Sequence, residues 1–209
     1  MPRSWFEPSA RDVAPRLIGH WLIRRTDQGF CGGQVVETEA YIAGDPACHA
    51  APGLTNRNRV MFGPPGHAYV YFIYGCHFCV NVVCQPQGHA EAVLIRAIEP
   101  SLGLEILRQN RPTAKLSELT NGPGRLCQAM AIRRELDGAD LCDVSGPLFI
   151  ASNDCLTQFL AAHGPVLKST RVGLSKAADL ELRFYLRDHS FVSRRTVSRV
   201  PRAANQPAG

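Results

Sequence analysis

The stretch AYVYFIYGCHFCVNVV, residues 68–83, holds two runs of apolar and aromatic residues on either side of a glycine. Tyr69 and Tyr71 alternate in the first run, as residues on one face of a strand do. Gly75 lies between the two runs, where a tight turn can reverse the chain. The stretch therefore predicts two antiparallel strands joined as a hairpin, with Tyr74 directly beside the turn.

Further strands are predicted on both sides of this hairpin. HWLIRR followed by TDQG reads as a strand and a turn, and QVVETEAYI as the next strand. AVLIRAI follows the hairpin, and LELRFYLR lies near the end of the chain. Because most of these strands follow one another through short connections, the pattern predicts an α+β fold with a mainly antiparallel sheet.

Helices are predicted before and after the strands. Ser9 resembles the cap of a helix that runs to about Ile18, although Pro15 is expected to confine it to its first turns or to end it. Ser101 is expected to cap a second helix through about Arg108. GPGRLCQAMAI has a proline at the favoured first turn and predicts a third helix.

The length of 209 residues and a hydrophobic content of 45% suit a domain with an ordinary core. We expect one domain over residues 1–202 and a disordered tail over residues 203–209. The chain has no run of 18 apolar residues and its N-terminal stretch lacks the apolar core of a secretory signal. These features predict a cytoplasmic protein with no membrane partner.

The cysteines favour structural thiols over a disulfide framework, because they are scattered along a long chain. Cys76 and Cys79 form a CxxC, but residues three apart on an extended strand point to opposite faces. No second CxxC completes a zinc site, so a metal or redox role is the lesser alternative. The eight cysteines are at positions 31, 48, 76, 79, 84, 127, 142 and 155.

The formal net charge is +5, and its distribution says more than its size. Arg57 and Arg59 flank Asn58 in TNRNRVMF. Such clusters suit a polyanion such as nucleic acid, and a solvated basic surface is the alternative. A second cluster lies in the C-terminal part, at Arg183, Arg187, Arg194, Arg195, Arg199 and Arg202.

The strand QVVETEAYI carries the first candidates for chemistry. On a strand, Glu37, Glu39 and Tyr41 share one face, which offers two carboxylates and a phenol. One interpretation is an ordinary solvated strand face. The other is a cleft in which one carboxylate is a general base, which requires access for water and a nearby cation.

Arg96 is the candidate for that cation, because it interrupts the apolar strand EAVLIRAI and an unpaired buried charge is very costly. It forms either a structural ion pair or a bridge between a site carboxylate and a phosphate. His49 lies in the long irregular loop after the acidic strand, and Asn81 interrupts the apolar run FCVNVVC. In a hairpin, Asn81 comes near Tyr69 and Tyr71.

Several motifs occur together in a fixed order. VETEAY is followed by a histidine eight residues on, then by NRNRVMF, PGHAYVYFIYG, CVNVV, VLIRAIEP and GPGRLCQAMAI. From about residue 10 to residue 200 the chain resembles the alkyladenine (3-methyladenine, or methylpurine) DNA glycosylases, in a bacterial-type form. The resemblance implies one compact domain with a curved sheet and a protruding β-hairpin. The implied enzyme flips damaged purines out of duplex DNA and hydrolyses their N-glycosidic bond.

The resemblance also assigns roles to residues. Glu39 matches the general base that activates water, and Arg96 the arginine beside that water. Asn81 matches the pocket asparagine that crowds the amino group of normal guanine, and Tyr74 the side chain inserted into the DNA stack. The residues matched to the walls of the base pocket, or to their support, are Tyr41, His49, Tyr69 and Tyr71.

The resemblance implies no metal and no other cofactor, a monomer, and damaged double-stranded DNA as partner. The expected location is the bacterial cytoplasm at the nucleoid, or the nucleus in a eukaryote. Cys76 and His77 stand where animal members have a larger apolar residue and a tyrosine, so the tip of the hairpin is expected to contact DNA differently. Two rival hypotheses are a non-catalytic nucleic-acid-binding relative and a metal hydrolase built on Cys48, His49, Cys76 and Cys79.

Overall fold

The computed structural model describes residues 1–112 and 115–193. The predicted tail and Arg194, Arg195, Arg199 and Arg202 lie outside the described residues. All strand pairs in the described part are antiparallel, as the short connections predict. The strands are β1 (Trp21–Thr26), β2 (Gly29–Tyr41), β3 (Ala68–Ile73), β4 (His77–Cys84), β5 (Glu91–Leu102), β6 (Leu148–Ala151), β7 (Val166–Ser169) and β8 (Arg183–Leu186).

The sheet curls because β2 has different neighbours along its length. The strand order is β3-β4-β5-β2-β1-β6, and β8 pairs with both β2 and β7. β5 runs along one edge of β2, whereas the other edge pairs first with β1 and then with β8. A register shift between Val35 and Glu37 marks a bulge, which bends a strand and increases its twist. The result is a half-barrel with one concave side.

The predicted hairpin is formed by β3 and β4 and turns through residues 74–76. Tyr69 lies opposite Asn81, as expected, and Tyr71 opposite Cys79. The backbone at Tyr74 and Gly75 is left-handed, with φ of 53° and 69°. Glycine adopts this conformation freely, whereas a tyrosine does so at a steric cost.

In the part of the chain that the structure describes, four α-helices flank the sheet: α1 (Ala10–Leu17), α2 (Leu104–Asn110), α3 (Pro123–Ala129) and α4 (Leu156–His163). Pro15 does not end α1, since a proline in an eight-residue helix removes a single hydrogen bond while four residues of the helix are buried. The Ser101 cap is wrong: Ser101 belongs to β5, and its hydroxyl donates to Gln34 on β2 at 2.8 Å. The left-handed Gly103 precedes α2 instead.

The interior has two parts, and the smaller one positions the site. The main core lies between the helices and the sheet and includes Phe6, Leu17, Leu22, Ile95 and Leu126. A second cluster lies beneath the hairpin and the loop before it, and consists of Cys48, Met61, Tyr69, Tyr71, Cys79, Val83, Ala90, Ala92 and Leu94. Among the described residues, no helix has the length and apolar character that a bilayer crossing requires.

Candidate active site

A cavity of about 680 Å³ opens between the hairpin, β5 and the start of α3. It is lined on the sheet side by Tyr41, Tyr69, Tyr71, Cys79, Asn81, Leu94 and Arg96, on the loop side by His49 and Met61, and at its mouth by Tyr74, His77, Arg111, Arg125 and Gln128. Seven of the eight residues assigned by resemblance therefore face one space. The remaining one, Glu39, is fully buried directly behind the wall.

Glu39 is held by three donors. Its Oε1 accepts the backbone N–H of Val172 at 2.7 Å, and its Oε2 accepts the Tyr41 hydroxyl at 3.0 Å. The Nη1 atom of Arg96 lies 3.2 Å from the same Oε2. Tyr41, Val172 and Arg96 all line the cavity. The Glu39 carboxylate is therefore separated from the cavity only by the residues that bind it. The Arg96 guanidinium thus places a positive charge beside the carboxylate that the resemblance assigns as the general base.

Glu37 lies on the same face of β2 and has a different environment. Its Oε1 accepts Nε of Arg96 at 2.8 Å, Nε of Arg183 at 2.7 Å and the Ser193 hydroxyl at 2.9 Å. Its Oε2 accepts the backbone N–H of Ser193 at 2.7 Å. The interpretation of this strand as a solvated face is therefore wrong, since Glu37 and Glu39 are both fully buried.

Arg96 joins the two carboxylates and is itself buried. Burial alone would lower the pKa of Arg96, but Glu39 and Glu37 outweigh it and raise the pKa above the usual value. Its Nη2 also donates to the Ser193 hydroxyl at 3.0 Å. The structure shows the ion pair of the first alternative, and the same guanidinium also faces the cavity. The bridge to a phosphate stays a prediction.

Tyr41 closes the floor of the cavity over Glu39. Burial, followed by the neighbouring Glu39 carboxylate, raises the pKa of Tyr41 well above its usual value, so its hydroxyl remains a donor. The guanidinium of Arg171 lies 4.7 Å from the centre of the Tyr41 ring. Arg171 is fixed by an ion pair with Asp45 and donates to the Ala40 carbonyl at 3.0 Å. These contacts hold the phenol in one orientation.

An uncharged aromatic wall faces the floor. Nδ1 of His49 lies 2.9 Å from the Tyr69 hydroxyl, and the His49 and Tyr71 rings meet at 4.4 Å. Burial, aided by Arg57, lowers the pKa of His49. Burial raises the pKa of Tyr69 to about 12 and that of Tyr71 further. The wall therefore carries no charge near neutral pH and suits a flat aromatic guest.

Asn81 is held rigidly in the cavity wall. Its amide nitrogen donates to the Tyr69 carbonyl at 3.0 Å across the hairpin. That bond orients the side chain and identifies the nitrogen and the oxygen of the amide. An amide fixed in this way discriminates between ring substituents by contact and by hydrogen bonding.

The mouth of the cavity is aromatic and basic. Tyr74 is 80% exposed at the tip of the hairpin, which is unusual for a large aromatic side chain. Arg125 is exposed at the start of α3, and Arg57 donates to the Phe72 carbonyl on β3 at 3.2 Å. Arg183 does not belong to the basic surface that its sequence position predicts, because it is buried against Glu37.

The CxxC does not form a chelating pair in this arrangement. Cys76 is exposed in the turn, whereas Cys79 is buried in the cavity wall. Burial raises the pKa of the Cys79 thiol to about 11, so it is a neutral thiol near pH 7. This supports a structural reading of Cys79.

Sequence reasoning did not identify Arg183, Ser193 and the Val172 N–H as partners of the two glutamates. Arg183 interrupts the apolar strand LELRFYL in the same way that Arg96 interrupts EAVLIRAI, so the same signal was available. Ser193 and the backbone N–H of Val172 give no such signal, because a backbone donor or a lone serine is common on any surface.

Comparisons with known proteins found a family model and similar proteins. The model of the methylpurine-DNA glycosylase family matches residues 4–190. A protein of Methanoculleus marisnigri named "Putative 3-methyladenine DNA glycosylase" is 47% identical over 195 residues, which cover 93% of this chain and 99% of that protein. Proteins of the same name are 43% identical in Carboxydothermus hydrogenoformans, over 93% and 99% of the two chains, and 44% identical in Methanocella arvoryzae, over 93% and 96%.

Proposed function

This chain belongs to the methylpurine-DNA glycosylase family and is a DNA-repair hydrolase that acts on the N-glycosidic bond, and we propose that it removes damaged purines from duplex DNA. The proposed substrates are 3-methyladenine, 7-methylguanine, hypoxanthine and ethenoadenine, and the product is an abasic site. A monomer is the proposed active form, and double-stranded DNA is the proposed partner.

The observation that carries the proposal is the position of a buried carboxylate and arginine behind an uncharged aromatic cavity. Glu39 and Arg96 are 3.2 Å apart at the floor, and His49 and Tyr71 form the wall. A cavity of about 680 Å³ is large enough for a purine with its sugar. A base inside a duplex cannot reach such a floor, so the nucleotide must rotate out of the stack.

The hydrolysis step follows from these positions. The bond between C1′ and the purine nitrogen breaks with its electron pair going to the base, and the sugar gains oxocarbenium character. The oxygen of a water forms the new bond to C1′, and Glu39 accepts the proton that this water loses. A cationic base such as 3-methyladenine leaves as a neutral molecule, whereas a neutral base such as hypoxanthine must gain a proton as it leaves.

The water must reach a carboxylate that has no exposed surface of its own. The Tyr41 hydroxyl and Nη1 of Arg96 both meet Oε2 of Glu39 on the cavity side. A water that donates to Oε2 beside the Tyr41 hydroxyl is held by Arg96 as well and lies between the carboxylate and the sugar. Arg96 therefore positions the nucleophile, while the Val172 N–H fixes the other oxygen of Glu39.

The walls supply selectivity. A damaged base that is cationic or electron-poor stacks well on the uncharged rings of Tyr41, His49 and Tyr71. Asn81 is held by the Tyr69 carbonyl and crowds the exocyclic amino group of normal guanine. At the mouth, Tyr74 enters the gap that the flipped nucleotide leaves and offsets part of the unstacking cost.

The test is an excision assay on duplexes that carry hypoxanthine, 7-methylguanine, ethenoadenine or no lesion. Glu39→Gln keeps the shape of the site and removes the base, so we expect the rate of base release to fall about 100- to 10,000-fold. Binding to a lesion-containing duplex is expected to persist. Glu7→Gln, an exposed glutamate in the same chain, is the matched control and should retain full activity.

Normal excision by Glu39→Gln would remove Glu39 from its role. A wild-type protein that binds lesion-containing duplex and releases no base from any of the substrates would instead identify a non-catalytic relative. Release from the unmodified duplex at the same rate would contradict selectivity for damaged purines.

A further inference from the structure

Two histidines and a glutamate meet at a place that the glycosylase chemistry does not use. Glu99 lies near the end of β5, His163 is the last residue of α4, and His189 follows β8. None of them lines the cavity. The three are far apart in the sequence, and the fold brings one ligand atom of each to within 4.8 Å of the others.

The separations fit coordination better than hydrogen bonding. Nε2 of His163 and Nε2 of His189 lie 3.6 Å and 3.4 Å from the same Oε2 of Glu99. A direct hydrogen bond between these atoms would bring them to about 2.7–3.2 Å. Ligand atoms bound tetrahedrally to zinc at about 2.0–2.2 Å are separated by about 3.3–3.6 Å.

We propose that Glu99, His163 and His189 form a binding site for a divalent transition metal of the Zn²⁺ class. Imidazole nitrogens with one carboxylate are a common ligand set for this ion. His189 is buried and fixed, whereas the side chains of His163 and Glu99 are 29% and 30% exposed. The exposed pair can close on an entering ion, and a water completes the fourth position.

One contact has to change when the ion binds. The backbone N–H of Phe191 points at Nδ1 of His189 at 3.3 Å. A neutral ring that accepts this hydrogen bond carries its proton on Nε2, whereas coordination through Nε2 places the proton on Nδ1. Metal binding therefore exchanges a long hydrogen bond for a coordination bond and switches the tautomer of His189.

The site is coupled to the charge network through a short segment. His189 is four residues before Ser193, whose backbone N–H and hydroxyl both bind Glu37. A metal ion that ties His189 to β5 and α4 holds this segment on the sheet. Binding of an ion to the folded state alone stabilises that state. We therefore expect Zn²⁺ to raise the melting temperature of the protein.

The experiment is a Zn²⁺ titration of the chain by calorimetry, with a parallel melting curve and a Co²⁺ absorption spectrum. Cys76→Ser with Cys155→Ser is the background for all samples, because these two cysteines are exposed and thiols bind zinc. We expect one ion per chain, a higher melting temperature, and Co²⁺ bands without sulfur charge transfer. The nitrogen shifts of the His189 ring should report the change of tautomer.

His163→Gln and Glu99→Gln change the two exposed ligands, which leaves the buried His189 intact. Loss of a group that only orients a ligand weakens metal binding about 10- to 100-fold. Each of these substitutions removes a ligand itself, so each should weaken Zn²⁺ binding by more than that. His89→Gln, an exposed histidine far from the cluster in sequence, is the control and should bind as the background does. Equal affinity in all four proteins, or no binding at 100-fold molar excess of Zn²⁺, would overturn the site.

Discussion

Glu37 and Glu39 are the same residue type on the same face of β2, both fully buried, and their surroundings separate them. Glu37 is covered by β8 and by the segment that ends at Ser193, and its oxygens receive two guanidinium groups, a hydroxyl and a backbone N–H. Glu39 is covered by groups that also face a cavity. Position on the strand does not decide which carboxylate is available to a substrate; the elements packed on it do.

The two carboxylates share Arg96. This arginine therefore connects the buried ion pair with Glu37 to the carboxylate beside the cavity, Glu39. Nε of Arg96 binds Glu37 at 2.8 Å, while Nη1 lies 3.2 Å from Glu39. The position of the cation in the cavity is thus set from behind, by a carboxylate that is fully buried and does not line the cavity. In the proposed mechanism Glu37 would therefore act on the reaction only through Arg96, as a positioning residue.

The largest effect should come from Glu37→Gln. The change leaves Arg96 and Arg183 beside a neutral amide in a buried place, and breaking a buried pair costs about 3–5 kcal/mol. Urea denaturation should show the loss in the free energy of unfolding. Glu39→Gln has fewer charged partners and should lose about 1 kcal/mol. Similar losses in the two variants would remove the distinction between the carboxylates.

The next effect concerns selectivity on the cavity side. Asn81→Ser shortens the side chain that the Tyr69 carbonyl orients and leaves room beside the bound base. Excision of unmodified guanine should rise about 10-fold relative to excision of hypoxanthine, the scale on which small changes in a pocket discriminate. The ratio of the two single-turnover rates measures it. An unchanged ratio would show that Asn81 fixes the hairpin and does not select the base.

Local sequence patterns predict much of the fold and less of the site. Alternation and glycine placement predict the β3–β4 hairpin and the strands before and after it, because these depend on neighbours in the chain. β6, β7 and α4 were not predicted, since four-residue strands and a short helix carry little periodicity. The prediction of Ser101 as a helix cap was wrong, because its hydroxyl donates to Gln34 on another strand.

The burial of the two glutamates is a long-range property. The groups that cover Glu37 and Glu39 include Arg183, Ser193 and the Val172 N–H, more than 130 residues later in the chain. No local pattern in QVVETEAYI reports them. The assignment of Glu39 and Arg96 as site residues came from the family motifs and stays a prediction, and the structure places the two side chains 3.2 Å apart.

A smaller effect is expected at the tip of the hairpin. Tyr74→Ala removes an exposed ring and keeps the Cβ, so it should leave the free energy of unfolding unchanged. Flipping should weaken by about 10-fold or more, in line with about 1–3 kcal/mol for stacking of an aromatic ring on a base. A fluorescent base analogue opposite the lesion reports flipping. Tyr74→Phe keeps the ring and should behave as wild type; if it fails as Tyr74→Ala does, the hydroxyl and not stacking is required.

The smallest effect is a pH dependence of stability at the cavity wall. Burial lowers the pKa of His49 below its usual 6.5, so the unfolded chain binds a proton on this ring more readily than the folded protein does. The stability from the neutral ring is complete above pH 6.5 and is lost as the pH falls towards the pKa of the folded state. Urea titrations at pH 7.5 and 5.5 should show this loss, and it should be smaller in His49→Gln. His20 and His189 also have lowered pKa values, so the variant should retain part of the dependence. An identical loss in wild type and variant would mean that the ring paired with Tyr69 at 2.9 Å does not titrate with folding.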